Sequence, residues 1–137
     1  MPALIVRKGL SSEMNLRSQN IGDSVAQKLA SSLQVMPHLQ HFNVSDNGLT
    51  DPGLSAIITA LHHCRYLLSL DIGRNKIDIQ AAHALGAYLQ SDGCQLHSLG
   101  LRNADIDDLE ASKFVEAIAV KNTIETLDMS QNLLGTQ

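Results

Sequence analysis

Leu39 to Leu49 reads LQHFNVSDNGL, and Leu67 to Ile77 reads LLSLDIGRNKI. Laid over one another, the two stretches share apolar residues at the first, fourth, sixth and last places and an asparagine at the ninth, Asn47 and Asn75. LHSLGLRNADI from Leu96 to Ile106 and IETLDMSQNLL from Ile124 to Leu134 continue the series, and SSEMNLRSQNI from Ser11 to Ile21 opens it in a weaker form. The copies start at 11, 39, 67, 96 and 124, so the spacings are 28, 28, 29 and 28 residues. Self-similarity at a fixed period marks an architecture in which identical units stack and each buries its apolar face against the next.

Within a copy, the fourth and sixth places, such as Phe42 and Val44 or Leu70 and Ile72, fall on one face of a short strand and the residues between them on the other. The second half of each unit has helical periodicity. Thr50-Asp51-Pro52 is a helix start with proline near the first position, and Leu54, Ile57, Ile58 and Leu61 then share a face. Asp78 opens the next helix, with Ala82, Leu85 and Leu89 inward. Asp23 or Ser24 opens the first, with Val25, Leu29 and Leu33 inward. Asp107 and Glu110 have capping-box spacing ahead of Phe114 and Ile118.

The copies fit L-x-x-L-x-L-x-x-N-x-L, and over nearly its whole length the chain resembles the leucine-rich-repeat family, in the ribonuclease-inhibitor-like subclass whose 28- or 29-residue unit carries a full helix. The resemblance implies an α/β solenoid of four to five repeats, curved, with a parallel sheet on the concave side and helices on the convex side. It also implies that Asn47, Asn75 and Asn132 hydrogen-bond the backbone of neighbouring turns. Gln19 imitates that role in part. Ala104 does not, and Asn103 stands one place early, so the fourth unit is expected to use water or an altered turn.

The chain has 137 residues, 44% of them hydrophobic and 18% charged, enough to bury a core, and it is read as one domain over 1–137. A net charge of -4 leaves no broad basic field for nucleic acid or anionic lipid. Two cysteines make no disulfide framework and suit a reducing compartment, so the expected location is the cytosol. The apolar run from Ala3 to Val6 is too short for a signal peptide, and no segment reaches membrane-spanning length. Asn43-Val44-Ser45 matches a glycosylation acceptor inside an expected strand and is read as accidental.

No nucleophile with a base and an orienting group, no phosphate loop and no paired carboxylates are evident, so the expectation is a protein that is not an enzyme and takes no cofactor. His62, His63 and Cys64, with Cys94 and His97 one unit later, are metal-ligand types, but their spacing matches no zinc signature and helix-end packing explains them. A Cys64–Cys94 disulfide is allowed by register and disfavoured by a reducing compartment.

The outward strand positions are polar and of mixed charge. From them Asp46, Asp71, Arg74, Arg102 and Asp128 are selected as partner-binding residues, with Gly73 and Gly100 leaving room for a partner's approach. The competing reading is a solvated face with internal Asp–Arg pairs, each worth about 0–1 kcal/mol. Neither end shows an obvious cap, and Leu4 to Gly9 resembles the last turn of an earlier unit's helix. The chain is therefore read as an excerpt of a longer solenoid, or as one whose ends are covered by another chain or by self-association. The functional expectation is a module that binds a protein partner on its concave sheet. A regulator of an enzyme, GTPase-activating or inhibitory, and a structural segment of a larger cytoskeletal or innate-immune protein are the alternatives.

Overall fold

The computed structural model describes residues 12–121 and 123–135; the run from Leu4 to Gly9 lies outside them. Five three-residue strands, β1 (Glu13–Asn15), β2 (His41–Asn43), β3 (Ser69–Asp71), β4 (Ser98–Gly100) and β5 (Thr126–Asp128), form one parallel sheet in chain order. Their register repeats the sequence period, with Met14 beside Phe42, Phe42 beside Leu70, Leu70 beside Leu99, and Leu99 beside Leu127. Each strand is joined to the next by a helical layer: α1 (Gly22–Leu33), α2 (Asp51–Ala60) continued by a 3-10 turn (Leu61–His63), α3 (Ile79–Gln90), then α4 (Asp108–Ala111) and α5 (Val115–Lys121). Strands sit about 4.8 Å apart while packed helices need 8–10 Å, so such a stack bends with the sheet inside.

The core is a set of columns, one residue per unit. Phe42, Leu70 and Leu99 lie under the sheet, and Ile57 of α2, Leu85 of α3 and Phe114 from the turn between α4 and α5 belong to the same core; all are essentially inaccessible to water. Burying each such side chain is worth about 1.5–3 kcal/mol. The same column is open at β5, where Leu127 is 40% exposed.

After every strand the chain turns through a left-handed residue. Ser18, Asp46, Arg74, Asn103 and Gln131, one per unit, have φ between 52 and 58°. Left-handed backbone costs a side-chain-bearing residue roughly 1–2 kcal/mol, and the asparagine that follows in most units holds it. The Asn47 amide nitrogen donates to the carbonyls of Leu16, Val44 and Ser45, while its Oδ1 accepts from the N–H groups of Gln19 and Ile21. Asn75 repeats this one unit on, donating to Val44, Ile72 and Gly73 and accepting from Asn47 and Leu49. Asn132 does so again, donating to Leu101, Met129 and Ser130 and accepting from Ala104 and Ile106. Gln19 reproduces one bond of the set, to the Arg17 carbonyl.

The fourth unit resolves the departure at Ala104. Asn103 occupies the left-handed place, which asparagine tolerates well. With no amide at 104, the Ile77 N–H donates instead to the Ala104 backbone carbonyl at 3.1 Å, and Asp105 also turns left-handed with φ 57°. The Ile72 and Leu101 carbonyls, which an asparagine at 104 would bridge, each keep one donor, from Asn75 and Asn132.

On the same side of the stack, carboxylates tie one helix start to the next. The Asp23 carboxylate accepts from the N–H groups of Thr50 and Gly53 and from the Thr50 hydroxyl, at the start of α2. Asp51 accepts from the N–H groups of Asp78, Gln80 and Ala81, at the start of α3. Both acids stand in the first turn of their own helix and cap their neighbour's, where orphan N–H groups and the positive end of the helix dipole favour an anion. Gly53 permits this, since a Cβ there would collide with the Asp23 carboxylate. Among the described residues only the fourth unit caps itself: Asp107 Oδ1 accepts from the Glu110 N–H at 3.0 Å and the Glu110 carboxylate accepts from the Asp107 N–H at 3.3 Å.

The single helix expected from Asp107 through Ile118 is broken into α4 and α5. The Lys113 and Phe114 N–H groups bond three residues back, to Glu110 and Ala111, and the winding tightens there. The Lys113 carbonyl is pressed against Gly86 of α3, occupying the space a Cβ would need.

Candidate functional site

The outward residues of the five strands line a trough of about 440 Å³ along the concave face, from Glu13 and Asn15 at one end to Thr126 and Asp128 at the other. Its floor contains the edges of Met14, Phe42, Leu70 and Leu99 and its walls are polar. A smaller hollow of about 170 Å³ opens at the side where the strands end. Arg17, Arg74 and Arg102 line it, together with Asp71, Asp128, Ser45, Gly73 and Gly100.

Four of the five residues predicted to touch a partner, Asp71, Arg74, Arg102 and Asp128, are thus gathered round one hollow. Asp46 stands apart from it, exposed in the left-handed column, and its carboxylate accepts from the Ser18 hydroxyl at 2.7 Å. Arg17, which the sequence reading did not select, joins the hollow because the same outward place recurs in the first unit. The repeat register contained that signal.

The acids and the arginines of the hollow are held differently. Asp71 Oδ1 accepts from the Gly73 N–H at 3.0 Å, and Asp128 Oδ1 accepts from the Ser130 N–H at 3.0 Å and the Ser130 hydroxyl at 2.6 Å. Asn15 and Asn43 do the same job at the same place in the first two units, accepting from the N–H groups of Arg17 and Ser45. Where a side chain stands at that place the turn uses an acceptor oxygen and not a charge, and in the fourth unit Gly100 supplies none. The Ser130 hydrogen bonds, aided by the Arg102 charge, hold the Asp128 carboxyl below the usual carboxylate range. By contrast, Arg102 Nε reaches only Gln131 Oε1, at 3.4 Å, and the Arg17 and Arg74 guanidinium groups have no hydrogen-bond partner among the described residues. No hydrogen-bonded Asp–Arg pair is formed there among the described residues, and Arg102 acts on Asp128 through its charge alone.

The two glycines do not hold open space. A Cβ on Gly100 would lie 2.8 Å from the Asp71 carboxylate, and one on Gly73 would lie 2.8 Å from the Arg102 carbonyl. The room they leave is taken by the neighbouring units.

The leucine-rich-repeat family model matches residues 35–57 and 63–85. Ribonuclease inhibitor of Sus scrofa is 24% identical, over 96% of this chain and 36% of its own length, and that of Mus musculus is 24% identical, over 98% and 30%. The chain thus contains leucine-rich repeats and is similar to proteins of the ribonuclease-inhibitor-like type. It spans about a third of the length of these relatives. Among solved structures, the tropomodulin C-terminal domain of Caenorhabditis elegans has the same fold, with a TM-score of 0.70 at 11% identity, covering 87% of this chain and 73% of that one.

Away from the concave face, the leucine-rich-repeat units account for the other chemically suggestive residues as packing. Cys64 and Cys94 are free and buried between units; the Cys64 thiol contacts the Leu33 carbonyl at 3.5 Å, and burial pushes it up to about 11. Tyr88 is raised well above its ordinary value, first by burial and then by Cys94. The His62 ring meets Tyr88 edge-on and His38 stacks on Tyr66. Among the described residues no three His, Cys, Asp or Glu side chains are grouped to hold a metal ion, and no helix is long and apolar enough to cross a membrane. Asn43 lies in β2 with its amide oxygen bound to Ser45, as a strand residue of this fold.

Proposed function

We propose that this leucine-rich-repeat chain is a protein-binding module whose contact surface is the concave sheet, centred on Asp71, Arg74, Arg102 and Asp128 with Asp46 at its margin. One observation carries the reading: the outward strand positions form a continuous polar trough, and at its side the Arg17 and Arg74 guanidinium groups make no hydrogen bond among the described residues. Arginine is a favoured anchor in protein interfaces because its planar fork presents several donors in fixed geometry. The ribonuclease inhibitors it resembles are named for action on another protein, which supports the same class of function. The module works without catalysis or cofactor, in the cytosol, on a protein rather than on nucleic acid or membrane.

The test is affinity capture from cell extract with the wild-type chain, with Asp71→Ala/Arg74→Ala/Arg102→Ala, and with a convex-face control, Gln27→Ala/Lys28→Ala. Loss of a specific protein from the first variant alone, with both variants folded by circular dichroism, is the expected result. Equal capture by all three removes the concave face from the function. A captured enzyme whose turnover changes on binding would refine the reading to a regulator. A second reading, docking of further protein against the β5 end, is favoured by Leu127, Leu133 and Leu134, each at least 40% exposed. Sedimentation of a dilute, partner-free monomer counts against self-association at that end.

A further inference from the structure

The hollow beside the strand ends contains three arginines and two carboxylates, and these five charges are not equally available. Asp71 and Asp128 are turned in on their own turns, each with one oxygen bound to the backbone two residues on, where Asn15 and Asn43 serve without charge. Asp71 is further drawn over Gly100. The guanidinium groups of Arg17 and Arg74 have no hydrogen-bond partner among the described residues, and that of Arg102 has one long bond to a neutral amide. The face presented outward is therefore cationic, although the chain as a whole carries a net charge of -4. Three of the fourteen acidic residues, Asp23, Asp51 and Asp107, are bound to helix-start N–H groups outside the trough, while Glu13 lines the trough's far end and Asp46 stands outside the hollow.

We infer that the hollow recognises an extended acidic segment of a protein partner, with Arg17, Arg74 and Arg102 each receiving a carboxylate. The inference rests on the sheet-face reading given above and names the chemistry of its partner. Arg17 and Arg74 are two strands apart, about 10 Å at ~4.8 Å per strand, and Arg102 is one strand farther, so a chain laid across the strands meets all three in turn. Guanidinium and carboxylate match as paired forks, which gives direction as well as attraction. A basic segment would meet the unpaired arginines first. A small dianion such as phosphate would span too little of this row, with Asp71 and Asp128 close by.

The experiment is an anisotropy titration of the full chain with a fluorescein-labelled alternating Glu-Gly peptide, alongside a Lys-Gly peptide of equal length and inorganic phosphate as competitor. The Glu-Gly peptide is expected to bind, with the arginine Nε–H signals of Arg17, Arg74 and Arg102 shifting in the NMR spectrum. Arg17→Gln/Arg74→Gln/Arg102→Gln is expected to weaken it by about two- to fivefold per charge removed. Asp71→Asn/Asp128→Asn keeps the two turn acceptors and removes two negative charges, and is expected to tighten binding by about the same factor per charge. This second arm does not depend on a loss of function, so a misfolded variant cannot imitate it. Equal or better binding of the Lys-Gly peptide, an unchanged affinity in the asparagine variant, phosphate displacing the peptide at equal concentration, or no binding of either peptide would each overturn the inference. None of these outcomes decides the sheet-face reading, which stands or falls on whether capture by the chain survives the concave-face variant.

Discussion

In the second and third units the turn after the strand hangs on an asparagine; in the fourth an alanine stands in that place. Asn47 and Asn75 each bridge three carbonyls and two N–H groups across adjacent turns. At Ala104 a backbone carbonyl receives Ile77 directly, and the helix that follows is shorter, self-capped and interrupted. The turn geometry is the same in outline, with a left-handed residue at the same place in both regions. A repeat can thus lose one rung of its side-chain ladder if the rungs on either side still reach the shared carbonyls. Such redundancy ends where two rungs in succession are lost.

That comparison breaks most sharply at Asn75. Asn75→Ala removes the acceptor of the Asn47 and Leu49 N–H groups and also the only side-chain donor to the Ile72 carbonyl among the described residues, because the next rung is Ala104. With several buried groups left unpaired at about 1–3 kcal/mol each, a loss of roughly 4 kcal/mol is expected in urea unfolding, and Asn47→Ala should cost less, since Asn75 still reaches Val44. Equal losses at the two sites would show that the missing fourth rung is of no consequence.

A middle-sized effect is expected at Asp51. Asp51→Ala leaves three N–H groups at the start of α3 without their acceptor, at about 1–2 kcal/mol by analogy with lost helix caps. Hydrogen exchange should quicken at Gln80 and Ala81 and leave α2, which Asp51 itself begins, unchanged. Protection lost in α2 instead would mean that Asp51 acts on its own helix.

Restoring the rung is expected to do little. Ala104→Asn should change stability by less than about 1 kcal/mol, because its new bonds would replace the one Ile77 already makes and add donors to carbonyls that have one. A large gain would show that the fourth turn is strained.

The smallest effect is a pH dependence in the self-capped unit. Burial, then the hydrogen bond to Asp107, raises the Glu110 carboxyl, while hydrogen bonds from Glu110 lower Asp107. A carboxyl raised in the folded state favours folding below its unfolded value and loses that contribution as pH rises through the folded value; Asp107 acts in the opposite sense. Glu110→Gln removes the first contribution and keeps a capping side chain. Its unfolding midpoint relative to wild type is therefore expected to rise from pH 4 to pH 7, and a difference independent of pH would refute the assignment.

Much of this was legible in the chain. The period located every strand, and the apolar places named the core columns through Phe42, Leu70 and Leu99, because alternation in a strand leaves one face to bury. Asp107 and Glu110 were readable as a capping box because both partners lie within one turn. Asp23 and Asp51 were legible only as parts of their own helix starts; that their carboxylates serve the start of the helix one unit later is recorded by no local spacing. The same limit hid the break after Ala111, where the Lys113 carbonyl packs against Gly86 of α3, and it made Gly73 and Gly100 look like open ground.

The sequence by itself determined the repeat, the strand register and which residues face outward, since periodic hydrophobicity allows one stacking that buries every apolar place. Tertiary structure decided what those outward residues are free to do. Asp71 and Arg74 look equivalent in the sequence, as opposite charges on one exposed strand end. Only the folded backbone, by offering an N–H to the carboxylate and nothing to the guanidinium, commits the first to the turn and leaves the second without a hydrogen bond among the described residues.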